Sequence, residues 1–133
     1  AKKRDEVMLK AEITGMRAKM YQHLTQPQAV EFNLKTDKGG ITDIEFIAQY
    51  LVLANAETSP EIAVWSDNVR IFDTAMACGI LTEHAGEQLK YCYTAMRNRI
   101  HHLNLLRQPS CVPMSEFEAE RDFIGQMWLQ IFE

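Results

Sequence analysis

The sequence predicts an all-α bundle of five or six helices. Three observations carry that reading. Apolar residues recur every three or four positions through several long segments. No stretch alternates apolar and polar residues as a half-buried strand would. The periodic segments are separated by proline- and glycine-bearing breaks, "TQPQ", "NAETSPE", "CGILT" and "RQPSCVP".

The first helix is expected from about Lys3 to Leu24, with Met8, Ala11, Met16, Met20 and Leu24 near helical spacing. Gly15 weakens it slightly, and "TQPQ" ends it at Pro27. Residues Ala29 to Gly40 read as a loop or a short extended piece. The second helix, about Ile41 to Ala54, carries Ile44, Phe46, Ile47, Tyr50, Leu51, Val52 and Leu53. Being apolar on nearly every side, it belongs in the middle of the bundle. A third helix follows Ser66 as N-cap and stops at Gly79 as the residue beyond its C-cap. The fourth begins near Thr82. Its Ala85, Leu89, Cys92, Met96, Ile100, Leu103 and Leu106 form one buried stripe, and Lys90, Arg97 and His101 lie opposite. The last opens on the capping box Ser115-x-x-Glu118 and buries Phe117, Ile124, Met127, Trp128 and Ile131.

With 133 residues the chain has the size of one helical domain, residues 1–133, with enough apolar content (47%) for a core of its own. A net charge of −4 builds no field that would draw nucleic acid. No run of about 18 apolar residues is present to span a membrane, and no signal peptide is visible. Three cysteines, Cys78, Cys92 and Cys111, are odd in number and widely spaced, which suits reduced thiols in a cytoplasmic protein. The methionines at helical spacing read as core.

The stretch "FNLKTDKGGITDIEFIAQY", Phe32 to Tyr50, holds the candidate chemistry. Thr42-x-x-Glu45 has capping-box spacing, and Asp43 and Glu45 complement the dipole at a helix start. Gly39-Gly40 suits a turn with unusual backbone angles. Those features need no ligand. Yet a glycine pair before a helix also exposes N–H groups that suit a phosphate, and Lys35 and Lys38 stand ready to neutralise one. Glu45 and Gln49 draw a polar line along an otherwise apolar helix, which calls for partners. Asp43 and Glu45 would repel a bare phosphate unless a divalent ion lay between them. The spacing fits neither a Walker A loop nor an EF-hand. Elsewhere, His101-His102 cannot share a helix face and read as surface or interface residues, and Arg97 and Arg99 read as surface ion-pair residues rather than anion binders. No catalytic residue and no metal site is readable in the chain itself.

Asn33-Leu34-Lys35, Gly39-Gly40-Ile41, Asp43-Ile44-Glu45-Phe46 and Gln49 carry a resemblance. They are similar to the K-x-x-x-G-G-[hydrophobic]-x-D-I-E-F-x-x-Q signature of the bifunctional glutamine synthetase adenylyltransferase/deadenylylase family. The related PII uridylyltransferases have a looser G-G-L-R-D form. "EITGMRAKM" and "LKYCYTAMRNRIHHLNLL" resemble helices on either side of that signature, so the likeness covers nearly the whole chain. It implies a helical domain that follows a nucleotidyltransferase domain in a larger multidomain enzyme. That enzyme transfers AMP from ATP, with Mg2+, to a tyrosine of glutamine synthetase, under control by the PII signal protein. The ending "MWLQIFE" resembles the C-terminus of the adenylyl-attaching half. The family's paired D-x-D, which positions magnesium, is absent here. The chain alone is therefore expected to be inactive. Lys35, Lys38, Gly39, Gly40, Asp43, Glu45 and Gln49 are expected to line the nucleotide cleft or the interface with the upstream domain. The alternative is a regulatory module that docks PII or glutamine synthetase through Arg97, His101 and their neighbours.

Overall fold

A computed structural model describes residues 2–24 and 31–133, with side chains for residues 6–20 and 31–133. The expected bundle is present, with five α-helices among the described residues: α1 (Lys2–Leu24), α2 (Ile41–Asn55), α3 (Asn68–Ala77), α4 (Glu83–Leu105) and α5 (Glu118–Phe132). A 3₁₀ turn, Pro60–Val64, fills the "NAETSPE" break, with the proline at the first helical position where its missing N–H costs nothing. The expected stop at Pro27 lies outside the described residues.

α2 is the central element, in contact with α1, α3, α4, α5 and the 3₁₀ turn. Its Ile44, Ile47 and Ala48 are fully buried, and Tyr50 and Leu51 nearly so, whereas Leu53 faces out. The α4 stripe is buried at Leu89, Cys92, Met96, Ile100 and Leu103. It ends there, because Leu106 is the C-cap and is exposed. α5 buries Ile124, Met127, Trp128 and Phe132, while Phe117 and Ile131 are only partly covered.

Apart from the helix starts, two features depart from expectation. The first is a strand in the "RQPSCVP" break, β2 (Cys111–Pro113), which pairs antiparallel with β1 (Glu31–Asn33), the extended piece expected before α2, with Phe32 opposite Val112. Three residues are too few to show alternation. The second is α1, whose methionine stripe is not core: Met8 and Met16 are more than half exposed and Ala11 is exposed. The face that packs is Leu9, Ile13 and Arg17, with Lys10 near the Tyr50 ring.

The helix ends show how local rules were met. α3 is capped by Asp67, one residue beyond Ser66, whose carboxylate accepts from the Val69 N–H at 2.9 Å. It closes in a Schellman motif at Gly79 (φ 75°), with Ile80 N–H to Ala75 C=O at 2.9 Å and Gly79 N–H to Met76 C=O at 3.2 Å. α5 does not start on Ser115-x-x-Glu118. Its N-cap is Phe117 in left-handed geometry, so Glu118 is already the first helical residue and cannot reach back to Ser115. Thr82 caps α4 as expected, its Oγ1 accepting from the Ala85 N–H at 3.1 Å. Thr82→Ala should therefore cost about 1 kcal/mol in urea unfolding, and Thr82→Ser should recover most of it.

The three cysteines are free. Burial pushes the Cys92 thiol from its ordinary 9.0 up to about 12. Native Cys92 should resist iodoacetamide at pH 8.5 and react once the chain is unfolded. The sign for stability follows. Between pH 9 and about 12 the unfolded thiol is ionised and the native one is not, so this group's contribution is intact below pH 9 and fades as pH climbs through that window.

Candidate functional site

The signature segment folds into a tight loop that hangs from the two-stranded ribbon. Leu34, fully buried, donates its N–H to Ser110 C=O at 2.8 Å. Asn33 organises the turn by accepting from the Lys35 and Thr36 N–H groups through Oδ1, at 3.0 and 3.2 Å. Asp37 Oδ2 accepts in return from the Asn33 N–H at 2.8 Å. The chain re-enters α2 through Ile41 N–H to Leu34 C=O at 2.7 Å.

Gly39 and Gly40 are both required by this geometry. Gly39 has φ 83° and lies against the Arg121 backbone, where a Cβ would sit 3.1 Å from the carbonyl oxygen. At Gly40 a Cβ would stand 2.6 Å from the Leu34 carbonyl and 2.9 Å from that of Asp37. The pair serves close backbone packing first.

The expected Thr42-x-x-Glu45 capping box does not form. The N-cap is Gly40, with no side-chain cap, and Thr42 lies inside the helix. Its hydroxyl donates to Lys35 C=O instead. The acid that reaches back is Asp43, whose Oδ2 accepts from the Gly39 N–H at 2.7 Å. Asp43 is wholly buried. Arg17 of α1 holds it by two bonds, Nε to Oδ1 at 2.9 Å and Nη2 to Oδ2 at 2.6 Å. The Arg17 guanidinium in turn lies 3.7 Å over the Trp128 ring of α5. Asp43 is thus a brace between α1, the glycine turn and α2. Arg17 is the residue that the sequence reading missed, although it sits in the quoted "EITGMRAKM" segment; a lone arginine among apolar neighbours was the available signal.

The remaining signature residues face two different grooves. Lys38 and Gly39 open onto a broad depression of about 830 Å³ that Arg17, Arg121, Asp122 and Trp128 also line. Lys35, Ile41, Thr42 and Glu45 form one wall of a smaller groove of about 310 Å³. Its opposite wall is α4, through Tyr93, Arg97, Ile100, His101 and Asn104. Gln49 is exposed, one turn beyond Glu45. Arg97 lies 5.7 Å from the centre of the Tyr93 ring. Arg99, by contrast, is spent on Glu116 at 2.8 Å, as expected of a surface ion pair. His102 does not line the groove. Glu45 is exposed as a residue, yet its surroundings desolvate the carboxyl enough to raise it above the ordinary carboxylate range.

The model of the GlnD PII-uridylyltransferase family matches residues 8–115, which takes in α1 from Met8 onward, the signature and all of α4. The chain belongs to this family. Within it, the chain is similar to proteins named bifunctional glutamine synthetase adenylyltransferase/adenylyl-removing enzyme. It is 58% identical over 131 residues to that of Mannheimia haemolytica, covering 98% of this chain and 14% of the relative. It is 61% identical over 124 residues to that of Haemophilus ducreyi, covering 93% and 13%. With that of Vibrio parahaemolyticus it shares 49% over 131 residues, covering 98% and 14%. The resemblance read from the signature therefore holds across nearly the whole chain, and the chain spans about 14% of these relatives' length. Among the described residues no helix is long and apolar enough to cross a membrane.

Proposed function

We propose that the chain is the helical domain that follows a nucleotidyltransferase domain in a glutamine synthetase adenylyltransferase, in its C-terminal, adenylyl-attaching half. The observation that carries the assignment to this enzyme is the 49–61% identity, over nearly the whole chain, to a small part of enzymes bearing that name; the choice of half follows the likeness of "MWLQIFE" to that half's sequence. In the intact enzyme AMP would pass from ATP to a tyrosine of glutamine synthetase in the cytoplasm, with PII as regulator. Magnesium would be held by the D-x-D carboxylates of the upstream domain, where phosphoryl transfer is a matter of positioning and charge neutralisation. This domain's part would be to complete the nucleotide cleft through Lys35 and Glu45 while Asp43 and the glycine pair brace the loop that carries them.

The docking-module alternative assigned Arg97 and His101 to a surface of their own. Their place opposite Lys35 and Glu45 in one groove favours a single site instead. The test combines α-labelled ATP, magnesium and purified glutamine synthetase with this chain, with the upstream domain, and with both. Label transfer only in the mixture is expected. Full transfer by the upstream domain alone would sink the accessory role and favour regulatory docking.

A further inference from the structure

We propose that the outward face of α1, around Val7, Met8, Ala11, Gly15 and Met16, is the surface on which the upstream nucleotidyltransferase domain docks. The inference rests on the reading above, in which the two domains share one polypeptide, and adds the face by which they meet.

α1 carries apolar residues on two sides, which is why its sequence has so little amphipathic bias. One side is used: Leu9, Ile13 and Arg17 pack onto the bundle. The other turns away from it. Val7 is 67% exposed, Met8 58% and Met16 53%, and Ala11 is exposed between them. Residues at these three- and four-residue steps share one side of a helix. Leu53, Leu105, Leu106 and Met114 are exposed too, but they lie at the ends of their elements and form no such face.

Gly15 is a separate observation. It stands inside the helix, where only proline is less favourable than glycine. At Gly86 close packing accounts for the glycine, because a Cβ there would meet the Met76 side chain at 2.3 Å. At Gly15 a Cβ would meet nothing within 4 Å. No described neighbour requires the missing side chain. The notch it leaves between Met8 and Met16 admits a partner that approaches the helix backbone from outside.

Area decides the occupant. One face of a helix about 10 Å across, followed for roughly 18 Å, can bury on the order of a few hundred Å². Stable association of free partners buries about 800 Å² on each side. A second copy of this chain would therefore be held weakly. A domain in the same polypeptide meets the face at an effective concentration on the order of millimolar, where a small patch suffices. The relatives carry enough further chain for such a domain, since this chain spans 14% of the length of the Mannheimia haemolytica protein. Glu12 and Lys19, exposed on the same side, give the patch a polar rim of both signs.

The test compares this chain alone with the two-domain protein, upstream domain and chain in one polypeptide, both with isotope-labelled methionine methyl groups. A soluble paramagnetic probe broadens the methyl signals it can reach. Met8 and Met16 should broaden in this chain alone and lose that broadening in the two-domain protein. Gly15→Leu, which fills the notch, should restore it there, whereas Gln130→Ala on the exposed side of α5 should not. Gly15→Ala in this chain alone should raise the urea midpoint, because the site is helical and open. A lowered midpoint would show that the glycine serves this chain's own packing and would overturn the notch. Equal broadening in both proteins would overturn the docking face. So would protection in this chain alone that grows with concentration alongside a dimer mass, which would assign the face to a second copy. Label transfer by the two-domain protein keeps the two readings apart. Transfer with both methyls accessible would sink the docking face and keep the accessory role, and protected methyls without transfer would do the reverse.

Discussion

Truncating either partner of the Arg17–Asp43 pair should destabilise the chain by about 3–5 kcal/mol, a large share of what a domain of this size possesses. Asp43 has no access to water, so Arg17→Ala takes two charge-assisted bonds from a buried carboxylate. Asp43→Ala does the converse: it takes the same two bonds from the guanidinium stacked on Trp128 and deprives the Gly39 N–H of its acceptor. Asp43→Asn should fall between wild type and Asp43→Ala, because one amide oxygen can still receive the Gly39 N–H. The double variant Arg17→Ala/Asp43→Ala should cost clearly less than the two single losses added together, since both single variants lose the same pair of bonds. Urea unfolding by far-UV circular dichroism measures all four. Single losses below 1 kcal/mol, or strict additivity, would show that the pair is decoration.

The second large effect is expected at Gly40. A methyl group there would stand inside the contact distance of two carbonyl oxygens that belong to backbone and cannot swing aside. Gly40→Ala must move the turn itself, at a cost of about 1–3 kcal/mol. The displacement would carry Lys35 with it, because the Lys35 carbonyl is tied to the Thr42 hydroxyl just inside α2. Label transfer in the reconstituted mixture should fall at least tenfold even at temperatures where the variant is fully folded, since positioning errors of about 1 Å can cost 10²-fold. The surface substitution Gln49→Ala, on the same helix but exposed, should leave stability unaltered. A Gly40→Ala protein with native stability and native transfer would contradict the role given to the turn.

The bundle was readable because helix periodicity survives in α2, α4 and α5, where burial is broad and the apolar pattern dense. α1 was readable as a helix but not in orientation. Its sequence has little amphipathic bias, and the face that docks joins Leu9 and Ile13 to an ion pair with a residue 26 positions away. No rule of local spacing can find such a partner. The capping boxes at Thr42 and Ser115 failed for a related reason. A capping residue acts only at the helix boundary, and both boundaries moved by tertiary demands: the close packing of Gly40, and the left-handed Phe117. The signature located the site, whereas its division into a buried brace and two grooves required the fold. The α4 half of the smaller groove lay in plain sight as an exposed polar face, without any mark that it opposed Lys35.

The ribbon that pairs Phe32 with Val112 joins the two ends of a long stretch of chain containing α2, α3 and α4. Neighbouring helices such as α3 and α4 can find one another locally, but closing this ribbon demands that distant residues meet, which is entropically costly and therefore late. The Lys35 loop hangs from that closure through Leu34 and Ser110. A chain that has condensed its helices but not zipped these six residues would look largely helical and yet present no groove. Recovery of circular dichroism during refolding should thus run ahead of recovery of ligand binding, and the interval between them would time a single event, the joining of two three-residue strands.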